Sequence, residues 1–119
     1  MTAFLWVALG ATLGAPARYL VDRAVQSTHQ TRMPFGTLAV NVLGSLVLGL
    51  LVGAETGTTA ALLIGTGFCG TLTTFSTFAF ETVRLIDGKS PAVAFANLAG
   101  QLAGGLAAVA LGYLAGSAL

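Results

Sequence analysis

The charged side chains of this 119-residue chain stand in only three places: Arg18 to Arg32, Glu55 alone, and Glu81 to Lys89. Four uncharged stretches lie around and between them, 1–17, 33–54, 56–80 and 90–119. A helix needs roughly 20 mostly apolar residues to cross the hydrocarbon of a bilayer. Each stretch reaches or approaches that length, the first if Arg18 sits at its end and snorkels toward the interface. Charged residues make up 8% of the chain, against about 25% in soluble domains, so a water-facing surface could not be covered. The reading is an all-α integral membrane protein, one domain of four transmembrane helices at about 2–21, 34–54, 59–84 and 91–114.

Nothing basic precedes Arg18, so the N-terminus reads as a mature first span rather than a signal peptide, which opens on positive charge. No basic patch exists for nucleic acid. Cys69 is the only cysteine, which excludes an intrachain disulfide and points to packing. His29 is solitary in a loop, and no His/Cys/carboxylate cluster has metal-ligand spacing.

Span one carries Gly10-x-x-x-Gly14, small residues four apart that let two helix backbones approach closely. Pro16 should kink the helix or mark an irregularity. Arg18 is read in two compatible ways, as an interfacial arginine beside the belt residue Tyr19 or as a vestibule residue. A polar loop, Asp22 to Met33, leads to span two, which opens on Pro34, a residue suited to a first helical turn. Asn41 is the strongly polar side chain of span two, and Thr37 lies four residues before it on the same face. That face must look at protein or at a water-filled path, because an unpaired amide is costly in hydrocarbon. A helix–helix hydrogen bond would satisfy it equally well.

Glu55 to Thr59 reads as a tight turn into span three. The centre of that span is the unusual part: Gly65-Thr66-Gly67-Phe68-Cys69-Gly70-Thr71-Leu72-Thr73-Thr74-Phe75-Ser76-Thr77-Phe78. Its glycines match the spelling of a dinucleotide-binding loop, which has meaning only after a strand in a βαβ unit. In a membrane span the same residues weaken the helix. Non-helical backbone at that depth is tolerated where protein buries it or where it lines a cavity, and freed carbonyls can hold a cation. The third helix is therefore expected to break mid-span, in the first half of this motif through Thr73. Phe75 and Phe78 share a face of the resumed helix, with Ser76 and Thr77 between them and Glu81 a further three residues on. Span four starts at Pro91. Asn97 and Gln101 share a face, and Gly100-x-x-x-Gly104 permits close packing on a neighbouring one. Thr37 and Asn41 are expected to face Asn97 and Gln101 across one seam, with the phenylalanines between. Four short spans are too few to enclose a pore and bury a broken helix, so an oligomer is expected.

These residues resemble the Fluc (CrcB-type) fluoride channels over nearly the whole chain. The likeness rests on length, span count, Gly14-Ala15-x-x-Arg18-Tyr19, Gly36-Thr37-Leu38-x-Val40-Asn41, and Gly67 to Phe78 with Glu81. It implies a fluoride-selective channel in the plasma membrane that lowers cytoplasmic fluoride, and no enzyme activity. It implies a dimer of antiparallel subunits with two pores and a structural, untransported sodium ion at the two-fold centre. The main-chain carbonyls of Gly70 and Thr73 would hold the sodium. Phe75 and Phe78 would line the fluoride path with Asn41, Thr37 would continue a polar track, and Arg18 would sit at a vestibule. On span four the family pattern has hydroxyl side chains, where this chain has Asn97 and Gln101.

Two other readings compete. A small four-span multidrug exporter needs an acid within span one, and none precedes Asp22. A membrane scaffold without transport function would need no hydroxyl-rich break and no Asn41. For orientation, all five Arg and Lys residues belong to the ends joined by the first and third loops. The positive-inside rule then places both termini outside. Such a chain would pair with an oppositely oriented paralogue, whereas dual insertion would give the homodimer that the resemblance implies.

Overall fold

The computed structural model describes residues 2–28 and 31–119; His29 lies outside the described residues. All regular structure among them is helical: α1 (Thr2–Thr28), α2 (Phe35–Ala54), a third span in two pieces, and α5 (Pro91–Ser117). The first piece, α3, covers 58–72 as Thr58–Ala60, a π-helical Ala61–Cys69, and Gly70–Leu72. The second, α4, is Ser76–Asp87. Four stretches, Thr2–Thr28, Phe35–Ala54, Thr58–Asp87 and Pro91–Ser117, are long and apolar enough to cross a membrane. The longest dimension of the molecule is 47 Å, close to the roughly 40–45 Å of a bilayer with its headgroups. The chain is a multi-pass membrane protein.

The helices outrun the uncharged stretches. α1 passes through Arg18, Asp22 and Arg23 to Thr28, so most of the expected loop from Asp22 to Met33 is helix. Charge limits how long a helix can stay in hydrocarbon, but it does not stop the backbone hydrogen-bond ladder. Pro16 lies inside α1, and the helix is unbroken across it. Two turns close on residues in the left-handed region. At Glu55 (φ 53°) the N–H bonds to the Val52 carbonyl, and the next N–H, of Thr56, reaches Leu51. At Lys89 (φ 60°) the matching bonds run to Ile86 and, from Ser90, to Leu85. Both are Schellman closures, which use the carbonyls a helix end would otherwise leave bare.

Small residues decide the packing. A Cβ on Gly10 would run into the Leu63 carbonyl and the Phe68 N–H; one on Gly14 would meet the Phe68 carbonyl and the Thr71 hydroxyl. Gly67 faces the Val7 carbonyl in return. The Gly10/Gly14 pair thus sets α1 directly on the π-helical backbone of α3, as the spacing predicts. On α5 the close approach occurs elsewhere than Gly100 and Gly104. Those two meet only side chains, of Met33, Leu38 and Val42. Backbone meets backbone at Gly112 and Gly116, which face Leu46 and Leu50, and at Gly49 and Gly53, which face Val109 and Tyr113. The spacing of four identifies candidate faces; which one is used depends on where the helices cross.

The break also lies later than the glycines suggest. Gly65, Gly67 and Gly70 are all helical, and Gly70 has φ −62° and ψ −32°. The helix ends after Leu72, Thr73 is extended (φ −81°, ψ 159°), and α4 begins at Ser76. Of these glycines, Gly67 lies against α1, Gly65 faces Leu48 and Leu51 of α2, and a Cβ on Gly70 would meet open space. The break itself belongs to Thr73, Thr74 and Phe75.

Candidate functional site

Asn41 makes the break. Its carboxamide Oδ1 accepts from the Thr74 N–H at 2.8 Å, and its Nδ2 donates to the Thr74 carbonyl at 3.0 Å. Had α3 continued, that N–H would have bonded to the Gly70 carbonyl. The side chain of α2 therefore takes the place of a helical partner, and the Gly70 carbonyl gives up its helical donor. The second proton of Asn41 Nδ2 goes to Gln101 Oε1 at 2.9 Å. A carboxamide has two N–H donors, and both are committed to protein.

The restart of the helix is capped locally. Thr74 Oγ1 accepts from the Thr77 N–H at 3.2 Å and lies 3.1 Å from the Thr77 hydroxyl. A hydroxyl bonding an N–H three residues on is the ordinary device for satisfying a bare helix start. Thr73 instead folds its hydroxyl back on the Cys69 carbonyl at 2.9 Å. Thr73 O is approached by Arg18 Nη1 at 3.4 Å. Arg18 is half-buried and stands level with the break, with α1 continuing well past it.

A cavity of about 410 Å³ opens at the break. Asn41, Gly70, Thr73, Phe75, Phe78 and Gln101 all line it. Phe75 and Phe78 meet edge to face, with ring centroids 5.8 Å apart and planes at 64°. Phe75 is 78% exposed in the single chain. Among the described residues, no charged side chain lines this cavity.

The remaining candidates divide into two further groups. Thr37 (2% exposed) donates to Glu81 Oε1 at 2.6 Å. Thr37 also lines a cavity of about 250 Å³ together with Arg18, Asp22, Thr74 and Thr77, on another side of the break. Glu81, with Arg32 and Arg84, borders a third cavity of about 290 Å³ at the basic end, where the Arg32 guanidinium donates to the Ser90 hydroxyl. Ser76 is exposed, with its hydroxyl 3.4 Å from that of Thr74. Asn97 is fully buried; its Nδ2 donates to Thr82 Oγ1 at 3.0 Å, and its Oδ1 accepts from Gln101 Nε2 at 3.5 Å.

The expected seam between spans two and four is therefore present, but in a different form. Asn41 and Gln101 bond directly, with no phenylalanine between them, and Thr37 turns to Glu81 instead. Short polar side chains on two helices satisfy each other at bonding distance, which excludes an intervening ring. Two residues were not legible as site residues, Thr74 and Thr82. Thr74 carries a sequence signal: a hydroxyl residue just ahead of a resumed helix. Thr82 carries none beyond its place four residues after Phe78.

Residues 5–113 match the family described as CrcB-like protein, Camphor Resistance (CrcB). The chain belongs to the CrcB family. Among curated CrcB relatives, the "Fluoride-specific ion channel FluC 1" of Streptomyces avermitilis is 49% identical over 113 residues, covering 92% of this chain and 91% of the relative. The protein of the same name from Frankia casuarinae is 46% identical over 118 residues, covering 92% of each. The "Fluoride-specific ion channel FluC 2" of Rhodococcus jostii is 47% identical over 113 residues, covering 95% of this chain and 96% of the relative. These relatives are named as ion channels, not as enzymes.

Proposed function

We propose that the protein is a fluoride-selective channel of the plasma membrane that lets fluoride leave the cell down its gradient. The observation that carries this reading is the cavity at the break, which the Phe75 and Phe78 rings line and which, among the described residues, no charged side chain lines. Fluoride is small and strongly hydrated, so its replacement ligands must be hydrogen-bond donors or positive dipole ends. The edge of a phenylalanine ring carries partial positive charge and suits an anion. The names of the relatives agree with this assignment.

The working unit is a dimer of antiparallel subunits, either two copies of this chain or this chain with an oppositely oriented paralogue. The exposure of Phe75 supports a covering partner, because a pore wall must be enclosed. A structural sodium ion is held where the two subunits meet, by the carbonyls of Gly70 and Thr73. Both carbonyls belong to residues lining the one cavity, and that of Thr73, which accepts from Arg18 at 3.4 Å, keeps a second lone pair for the ion. The Gly70 carbonyl has lost its helical donor, and a Cβ on Gly70 would meet open space. Oxygen donors of this kind suit a hard cation, as at unwound helices elsewhere in membranes. Two carbonyls are an incomplete shell, which a second subunit would complete.

Efflux from liposomes tests the function, with chloride and a cationic dye as controls. Fluoride leak dependent on the protein, without chloride leak, is the expected result. Vesicles that retain fluoride would remove the channel reading; dye exchange would favour a multidrug-type transporter.

A further inference from the structure

A chain of side chains leaves the third span at Thr74, returns to it at Thr82, and ends within the same helix on the Phe78 carbonyl. Asn41 holds the Thr74 backbone and donates to Gln101 Oε1. Gln101 Nε2 donates to Asn97 Oδ1. Asn97 Nδ2 donates to Thr82 Oγ1. The Thr82 hydroxyl donates to the Phe78 carbonyl at 2.8 Å. Both ends of this relay are backbone groups whose polarity cannot change. The Thr74 N–H can only donate, so Asn41 must present its oxygen there. The Phe78 carbonyl can only accept, so the Thr82 hydroxyl must donate and then offer its lone pairs to Asn97. Every amide between is thereby fixed in one orientation.

We infer that Asn97 and Thr82 are positioning residues, and that this relay sets the rotation of the first turn of α4 and hence the aim of the Phe75 and Phe78 rings. Neither Asn97 nor Thr82 lines the cavity. Asn97 is fully buried and is hydrogen-bonded to α4 through Thr82. Both Phe75 and Phe78 fall within the segment whose two ends the relay ties, Thr74 and Thr82. In hydrocarbon no water competes for these groups, so a missing link leaves an amide seeking another partner. The inference rests on the channel reading for its consequence in flux, though not for its geometry.

The test uses full-length protein reconstituted in liposomes, with the unsubstituted protein, Thr82→Val, Thr82→Ser, Asn97→Leu and the double variant Asn97→Leu/Thr82→Val. Thr82→Val keeps shape and removes the hydroxyl. Loss of its two hydrogen bonds, one accepted from Asn97 and one donated to the Phe78 carbonyl, predicts a drop in fluoride flux per assembled protein of about tenfold or more, restored by Thr82→Ser. The double variant should conduct no worse than the weaker single variant, because one relay is cut twice. A fluorine label on the Phe78 ring gives a readout independent of conduction: its 19F resonance should move in Thr82→Val and return in Thr82→Ser. Unchanged flux and resonance in Thr82→Val would overturn the relay, as would failure of Thr82→Ser to restore them or strictly additive losses. If Asn97→Leu does not assemble, the two Thr82 variants still decide. An unsubstituted protein that passes no fluoride defeats the channel reading instead, and the 19F comparison then judges the relay alone.

Discussion

The Asn41 carboxamide pairs with the backbone of Thr74 on both sides, accepting from its N–H and donating to its carbonyl. One side chain on α2 thus supplies to an extended residue of the third span what a continuing helix would have supplied. The local consequence is a backbone break with both polar groups of Thr74 satisfied at membrane depth. The wider consequence is that Asn41 has no free N–H left.

Asn41→Ala should therefore behave first as a stability variant. It would orphan the Thr74 N–H and carbonyl and the Gln101 oxygen, at about 1–3 kcal/mol for each group left unpaired. A lowered melting temperature in detergent together with lost fluoride flux is expected. Asn41→Asp keeps the acceptor for the Thr74 N–H and loses both donors, and its melting temperature should fall between the two. If Asn41→Ala melts like the unsubstituted protein, the two-sided pairing does not hold the break.

Phe75→Ile and Phe78→Ile should each cut fluoride flux sharply, by tenfold or more if about 1.4 kcal/mol of ring-edge interaction is lost, while dimer yield on size exclusion is unchanged. Isoleucine keeps apolar bulk and discards the positive ring edge. Flux equal to that of the unsubstituted channel would remove these rings from the pathway.

Glycine substitutions distinguish backbone contact from mere smallness. Gly112→Ala and Gly14→Ala place a methyl against a carbonyl of the facing helix, and each should destabilise by about 1–3 kcal/mol. Gly105→Ala is the matched control on α5. The nearest atom to its new methyl is the Ser45 hydroxyl oxygen at 3.8 Å, so stability should hold or rise by about 0.5–1 kcal/mol. Thermal melting in detergent measures all three, and equal losses at Gly105 and Gly112 would contradict the crossing point of α2 and α5.

Sodium should be needed for assembly in working form and not for conduction itself. Prolonged removal of sodium, with a large organic cation in its place, should inactivate fluoride efflux, and restored sodium should recover it. Full activity after exhaustive exchange would count against the carbonyl site at Gly70 and Thr73.

Orientation can be read with reporters fused at the C-terminus. A single-sided signal is expected from the gathering of Arg23, Arg32, Arg84 and Lys89 at one end of the bundle. Equal signal from cytoplasmic and external reporters would show insertion in both directions and favour a homodimer.

The positions of the charges were enough to determine four membrane helices, because the hydrocarbon thickness imposes a length and excludes charge from it. The Gly10/Gly14 contact was legible for a similar reason, since close backbone approach needs small residues at a helical spacing. Asn41 stood out as a residue that a lipid-facing helix would not carry, and Phe75 and Phe78 stood out through the hydroxyl-rich motif around them. Only the tertiary structure decided where the third span breaks and what breaks it. Glycine lowers the cost of leaving a helix, but the helix is abandoned where a competing partner exists, and that partner, Asn41, lies 33 residues earlier in the chain. The same holds for Thr82 and Asn97, whose meaning depends on a contact between separate helices. Local sequence sets what each segment can do; the crossing of α2, α4 and α5 chooses among those options by bringing donors and acceptors to bonding distance.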